Sequence, residues 1–279
     1  MLLFQSAGLA MFLATVGRRS EVALPTIRRL GIFAALSAIV CTAAYYLLEA
    51  ARMTGELGGS LDGPMQRVAL VSSAGAAFVC RVAGLAIVAA AMGRAATAAG
   101  GRRPRLGAPT LLLGVALTVA SFVLTGHLVS DAHRSALTAL MAIHVTIGMF
   151  WFGSLLPLCL ITTRESGALA AQVVESFSSR ATWLVPLIFL AGLLMTAVLV
   201  PDWGTFAQPY GEILIAKTTL FAVLMGLAAI NKLRLGPALA SGDATAPARF
   251  RRIVVAELGL ICAVLAITAW LTEFYSPGE

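Results

Sequence analysis

FVLTGHLVSDAHRSALTALMAIHVTIGMFW, residues 122–151, ends one apolar run and begins another. The polar loop between them, about ten residues, is too short for an extramembrane domain. The stretch holds all three histidines of the chain, His127, His133 and His144. His127 and His133 fall at or just beyond the point where an apolar helix meets water, and His144 lies inside the second run. The pattern reads as a helical hairpin across a bilayer, with a metal site at its outer mouth.

Composition extends that reading to the whole chain. Of 279 residues, 59% are hydrophobic and 12% charged, and the mean hydropathy is +0.91. A soluble domain of this length cannot hide so much apolar surface, whereas runs of about 20 apolar residues match bilayer spans. Eight such segments can be marked, near 2–16, 30–50, 67–92, 106–125, 136–163, 181–201, 211–231 and 252–272. The expected fold is all-α: one polytopic integral-membrane domain over 1–279, a bundle of about eight transmembrane helices. The first segment has no basic region before it and no small-residue cleavage motif after it, so it reads as a short span rather than a cleaved signal.

Charge fixes the expected orientation. Arg18, Arg19, Arg28, Arg29, Arg94, Arg102, Arg103, Arg105, Arg164, Arg180, Lys232, Arg234, Arg249, Arg251 and Arg252 fall in alternate loops. The other loops hold only Arg52, Arg67 and Arg134. Basic loops stay on the cytoplasmic side, which places both termini outside. The net charge of +7 is then a topology signal and argues against a nucleic-acid partner. Acids gather on the outer side, with Glu56, Asp62 and Asp131 at the mouths of the hairpins. They either draw cations toward the mouth or are simply permitted there.

The residues able to carry chemistry are few. Met141, His144, Gly148, Trp151 and Leu155 recur at three- and four-residue steps and share a helical face. A thioether and an imidazole one turn apart suit a soft ion such as Cu(I); alternatively Met141 fills a gap and His144 hydrogen-bonds across helices. His127 and His133, with Asp131 between them, form a mixed nitrogen and oxygen capture site or a solvated polar loop. Arg81, Lys217 and Glu257 lie inside spans, where an unpaired charge costs at least about 2.5 kcal/mol at the bilayer centre, so partners or water must attend them. Lys217 can instead snorkel outward. Asn231 follows Lys217 by fourteen residues, nearly on the same helix face but about 21 Å further along, so the two line one path or brace the helix at two levels. Thr54-Gly55 and Thr125-Gly126 end two helices alike, as caps or as marks of a duplicated hairpin. Cys41, Cys80, Cys159 and Cys262 stand singly in four segments, which disfavours a disulfide framework. No GxSxG, Walker A or HExxH pattern is present, and no enzyme is expected.

With these residues laid out, the chain resembles the copper-resistance protein D (CopD) family of bacterial inner-membrane proteins. The most CopD-like part is 177–274, the last three helices. It carries Phe177-Ser178, Tyr210-Gly211-Glu212 leading to Lys217, Asn231 followed by Pro237, and Arg251-Arg252 ahead of Glu257. Lys232 stands where the family usually has Arg, which keeps the charge but not the bidentate geometry. Thr125-Gly126-His127, His144 and Thr54-Gly55-Glu56 with Asp62 also fit. The resemblance implies copper homeostasis, with copper moved across the membrane and a separate periplasmic carrier of CopC type as partner; the copper oxidation state stays open between Cu(I) and Cu(II).

Three functional readings follow. In the first, copper is taken up past His127, His133, Met141 and His144, with Lys217 structural or gating and Glu257 relaying a proton or anchoring the inner half. In the second, histidines of adjacent helices bind haem in a membrane redox protein. Against it, His144 lies roughly 12 Å deeper than His127. The third is a copper-binding accessory protein without transport.

Overall fold

The computed structural model describes residues 1–17, 20–97, 108–124, 134–200 and 203–275. Its helices are α1 (Leu2–Thr15), α2 (Leu24–Thr54), α3 (Gly63–Val71), α4 (Ser73–Thr97), α5 (Ala108–Val123), α6 (Arg134–Arg164), α7 (Gly167–Leu199), α8 (Pro209–Ile230), α9 (Gly236–Ala240) and α10 (Ala246–Phe274). A π-turn, Asn231–Leu235, links α8 to α9, and short 3₁₀ helices occupy Leu57–Leu61 and Trp203–Ala207. Among the described residues no strand occurs. Six helical stretches are long and apolar enough to cross a membrane: α2, α4, α6, α7, α8 continued through α9, and α10. The shorter apolar helices α1 and α5 account for the other two expected segments.

Helix ends follow local chemistry. Segment three is broken at Ser72, whose hydroxyl donates to the Ala69 carbonyl at 2.6 Å and accepts from Ala74 N–H at 3.2 Å. A serine that bonds its own backbone competes with the helical ladder and divides the run into α3 and α4. Asp62 accepts from Met65 N–H at 3.0 Å and caps α3. Gly55, with φ of +74°, closes the C-terminus of α2 in the left-handed conformation. The seventh helix starts at Gly167, well before its apolar segment. Buried Ala170, Val173, Val174 and Phe177 recur there at helical spacing, so its first turns are amphipathic rather than uniformly apolar.

The chain forms two compact units. The N-terminal unit comprises Leu2–Thr15 and Pro25–Gly153. Its helices meet backbone to backbone at glycines. A Cβ on Gly153 would lie 2.4 Å from Gly8 Cα, and one on Gly84 would lie 2.6 Å from the Gly114 carbonyl oxygen. Small residues let helices approach closely in lipid, where dispersion and hydrogen bonding replace the hydrophobic drive. Pro157 has no N–H for the carbonyl one turn back, at Gly153, and Gln5 Nε2 donates to that carbonyl at 3.4 Å. Tyr46 stacks on Phe78 with ring centroids 4.3 Å apart, tying α2 to α4.

The C-terminal unit comprises Met1, Val16–Leu24 and Ser154–Glu279. Here α10 packs along α8 and the π-turn. The π-turn is closed by Gly236 N–H donating to the Asn231 carbonyl, five residues back. Pro237 follows directly, and a proline ring disfavours the tighter α ladder before it. Apolar side chains face outward along both units: Phe33, Leu36 and Val40 on α2, and Leu187, Leu190 and Leu194 on α7 are all exposed at i, i+3, i+7 spacing. Such stripes suit hydrocarbon as the surrounding solvent. The molecule is a polytopic membrane protein whose outer surface is built for lipid.

Candidate functional site

On α6, Met141 and His144 lie one turn apart and both are half-buried. This helix is the most enclosed of the six long spans, with 72% of its apolar core buried against 6–39% in the others. A shallow apolar hollow lined by Ala142, Ile143, Thr146 and Ile147 lies on the same helix. His127, His133 and Asp131 lie outside the described residues. Among the described residues no group of three or more His, Cys, Asp or Glu side chains converges as a metal-binding set.

The acidic pair between α2 and α3 divides. Glu56 is exposed and its side chain makes no cap, whereas the Asp62 carboxylate is engaged at the α3 N-terminus.

Arg81 sits eight residues into α4, about 12 Å from the start of that helix. Its Nε donates to Ser121 Oγ at 3.0 Å, and its guanidinium carbon lies 5.0 Å from the centre of the Phe122 ring. Ser121 passes the interaction on by donating to the Thr118 carbonyl at 2.7 Å. Phe122 is held edge-on by Phe4 at 5.8 Å. A guanidinium keeps its charge under all ordinary conditions, so it needs dipoles and a π face rather than a proton partner. These residues supply them. Nearby, Arg52 reaches both the Tyr45 hydroxyl at 2.9 Å and Glu49 at 3.9 Å.

In the C-terminal unit Lys217 lies half-buried on α8. Beyond it the structure joins two residues that the sequence leaves apart. Asn231 Nδ2 donates to Glu257 Oε1 at 2.7 Å, with Asn231 8% and Glu257 3% exposed. The Cys159 thiol of α6 lies within electrostatic range of both Glu257 and Arg251. Lys232 Nζ donates to Thr182 Oγ1 on α7. Sequence reasoning names Asn231 and Glu257 singly; the signal for the pair was a polar residue and an acid each buried in an apolar run near the same basic loop.

Outside the spans, Glu165 forms a separate polar joint between α6 and α7. Its Oε1 accepts from Ser20 Oγ at 2.6 Å, Val22 N–H at 2.8 Å and Ala23 N–H at 2.9 Å. Burial alone would raise this carboxyl, but these hydrogen bonds outweigh it and hold the group below its ordinary value.

Lipid-facing spans with polar side chains buried inside them define a helical, polytopic membrane protein. Comparison with known proteins narrows that class. The family model for copper resistance protein D matches residues 171–271, and that for the copper resistance protein D-like N-terminal domain matches residues 1–132. Copper resistance protein D of Pseudomonas syringae pv. tomato is 30% identical over 177 residues, which cover 58% of this chain and 56% of that protein. Copper transport protein CutJ of Bacillus subtilis (strain 168) is 28% identical over 160 residues, covering 56% of this chain and 28% of that protein. The chain thus spans about half the length of the first of these relatives and about a quarter of the second. No solved structure matches. The two models, both of copper resistance protein D type, thus match separate parts of the chain, 1–132 and 171–271.

Proposed function

We propose that the chain moves copper across the bacterial plasma membrane, taking it up from the periplasmic side. The observation that carries this reading is the Met141–His144 pair on one face of the most enclosed span, in a chain matched by two copper-resistance family models. A thioether and an imidazole are good ligands for copper and hold it weakly enough, as a pair, to pass it on. In this reading copper is the cargo and no resident cofactor or catalysed reaction is involved. His127 and His133, with Asp131, collect the ion; Met141 and His144 receive it; the basic loops face the cytoplasm and both termini the periplasm. A separate periplasmic carrier of CopC type delivers the ion. Arg81 and Lys217 are cations and repel copper, so they brace or gate the path and do not ligate.

The test is copper accumulation by cells expressing the parent or a His127→Ala/His144→Ala double variant, together with copper flux into proteoliposomes. The double variant should lose most of the accumulation and flux while inserting normally. Equal flux in parent and variant would remove these histidines from the path. Copper binding by the parent without flux would make the protein an accessory binder.

A further inference from the structure

The Asn231–Glu257 contact leaves one atom unexplained. Asn231 Oδ1 is buried and has no hydrogen-bond partner among the described residues. An ionised carboxylate only accepts, so the amide must turn Nδ2 toward Glu257, and this strands its own oxygen. Flipping the amide is no remedy, since it would set oxygen against oxygen and leave both N–H donors unused. No orientation of a neutral amide satisfies both of its ends against a carboxylate alone. A buried acceptor left unmade loses its hydration with nothing in return.

One proton resolves this. With a proton on its other oxygen, Glu257 becomes a carboxylic acid that accepts from Asn231 Nδ2 through one oxygen and donates to Asn231 Oδ1 through the other. The balance is simple: carboxylate plus one proton from water gives the acid, and release returns both. The same proton removes a charge from a site only 3% exposed within a lipid-facing helix.

We propose that Asn231 and Glu257 form a single-proton site, an acid–amide pair that loads and unloads one proton at the end of the spans bearing Lys232, Arg234, Arg251 and Arg252. The surroundings suit exchange rather than permanent protonation. Arg251, on the helix of Glu257, and Glu257 itself both act on the Cys159 thiol of α6, so the three share one field. From the π-turn, Lys232 is engaged with Thr182 of α7 and Arg234 is exposed. Lys217 stands about 21 Å back along α8, and α9 carries no titratable residue. In the copper-transport reading, on which this meaning rests, the site lets a proton move against the cargo; the protonation itself does not depend on that reading.

The experiment is infrared difference spectroscopy of the full chain in lipid, without copper, titrated from about pH 4 to about pH 10, the range over which buried carboxyls titrate. The parent should show a protonated-carboxyl stretch at neutral pH that shifts in heavy water and disappears on alkalinisation. Glu257→Gln should abolish the band, and this variant keeps both hydrogen bonds as an amide–amide pair, so it should fold. Asn231→Leu should retain the band at higher frequency and titrate it at a different pH. Absence of any titrating carboxyl band in the parent, or a band unchanged in both variants, would overturn the assignment. Copper flux measured on the same preparations separates the two readings. A Glu257 band without flux sinks transport alone, and flux without a band sinks the proton site alone.

Discussion

The two units carry an ionisable side chain inside a span in opposite ways. In the N-terminal unit Arg81 cannot give up its charge, and the fold supplies a hydroxyl at 3.0 Å and an aromatic face at 5.0 Å. In the C-terminal unit Glu257 can be neutralised, and it meets an amide whose second half is left open. Backbones differ in the same sense. The first unit brings glycines of α1 and α6, and of α4 and α5, into main-chain contact, while the second replaces an α-turn by a π-turn beside its acid. Close packing with a fixed charge makes a frame. A widened turn next to a titratable pair makes a place where state can change, and π-turns often mark such positions.

The contrast is tested most strongly at the glycines. A methyl group at Gly153 would sit 2.4 Å from Gly8 Cα, and only backbone movement could relieve it. Gly153→Ala should therefore destabilise the protein by about 1–3 kcal/mol, the usual cost of overpacking. At Gly226 in α8 an added Cβ meets nothing within 4 Å, so Gly226→Ala should be neutral or stabilising by up to about 1 kcal/mol through helix propensity. Thermal unfolding of the two variants in detergent, followed by helical circular dichroism, compares them. Equal melting temperatures would show that the approach of Gly8 and Gly153 is not a constraint on the fold.

A smaller effect is expected at the fixed charge. Phe122→Leu keeps apolar volume but removes the π face under Arg81 and the edge contact with Phe4. The two contacts together are worth about 1–3 kcal/mol, partly offset by the retained burial. Arg81→Lys should not restore stability in that background or match the parent alone, because an ammonium cannot lie flat on the ring while donating to Ser121. If Arg81→Lys melted with the parent, Arg81 would be a generic cation and the frame would not depend on its geometry.

Much of the architecture was legible because lipid demands long apolar runs, and each of the eight segments corresponds to an apolar helix, six of them long enough to span. What escaped were features set by single atoms or by distant residues. The run 67–92 stays apolar through Ser72, whose hydroxyl bonds break it. The start of α7 was hidden because its first turns carry only one apolar stripe. Asn231 and Glu257 each stood out as polar residues within apolar runs, yet 26 residues and a π-turn separate them, and spacing alone gave no reason to pair them. Gly8 and Gly153 are far apart in the chain and meet only after folding. Met141 and His144 were legible as neighbours because one helical turn fixes their spacing.

The least effect, and the sharpest control for Glu257, is expected at Glu165. It is the same residue type in the same unit, but it lies between α6 and α7, open to water, and its oxygen takes three donors from Ser20, Val22 and Ala23. Burial opposes the charge, and the hydrogen bonds prevail, so the folded carboxyl titrates below its ordinary value of 4.5. A group held lower in the folded state than in the unfolded one contributes stability that is full above the ordinary value and fades as pH falls through the folded one. Acidification below about pH 4.5 should therefore cost the parent a small increment, less than about 1 kcal/mol because the group is solvent-screened. Glu165→Gln should lack that increment at neutral pH and lose nothing further in acid. Glu257 should behave in the opposite sense, since its proton completes the pair with Asn231: protonation there adds a hydrogen bond, whereas at Glu165 it removes one. Melting curves of the parent, Glu165→Gln and Glu257→Gln at neutral and acid pH decide this. If the two carboxyls shifted stability in the same direction with pH, the acid–amide pair could not be what distinguishes them.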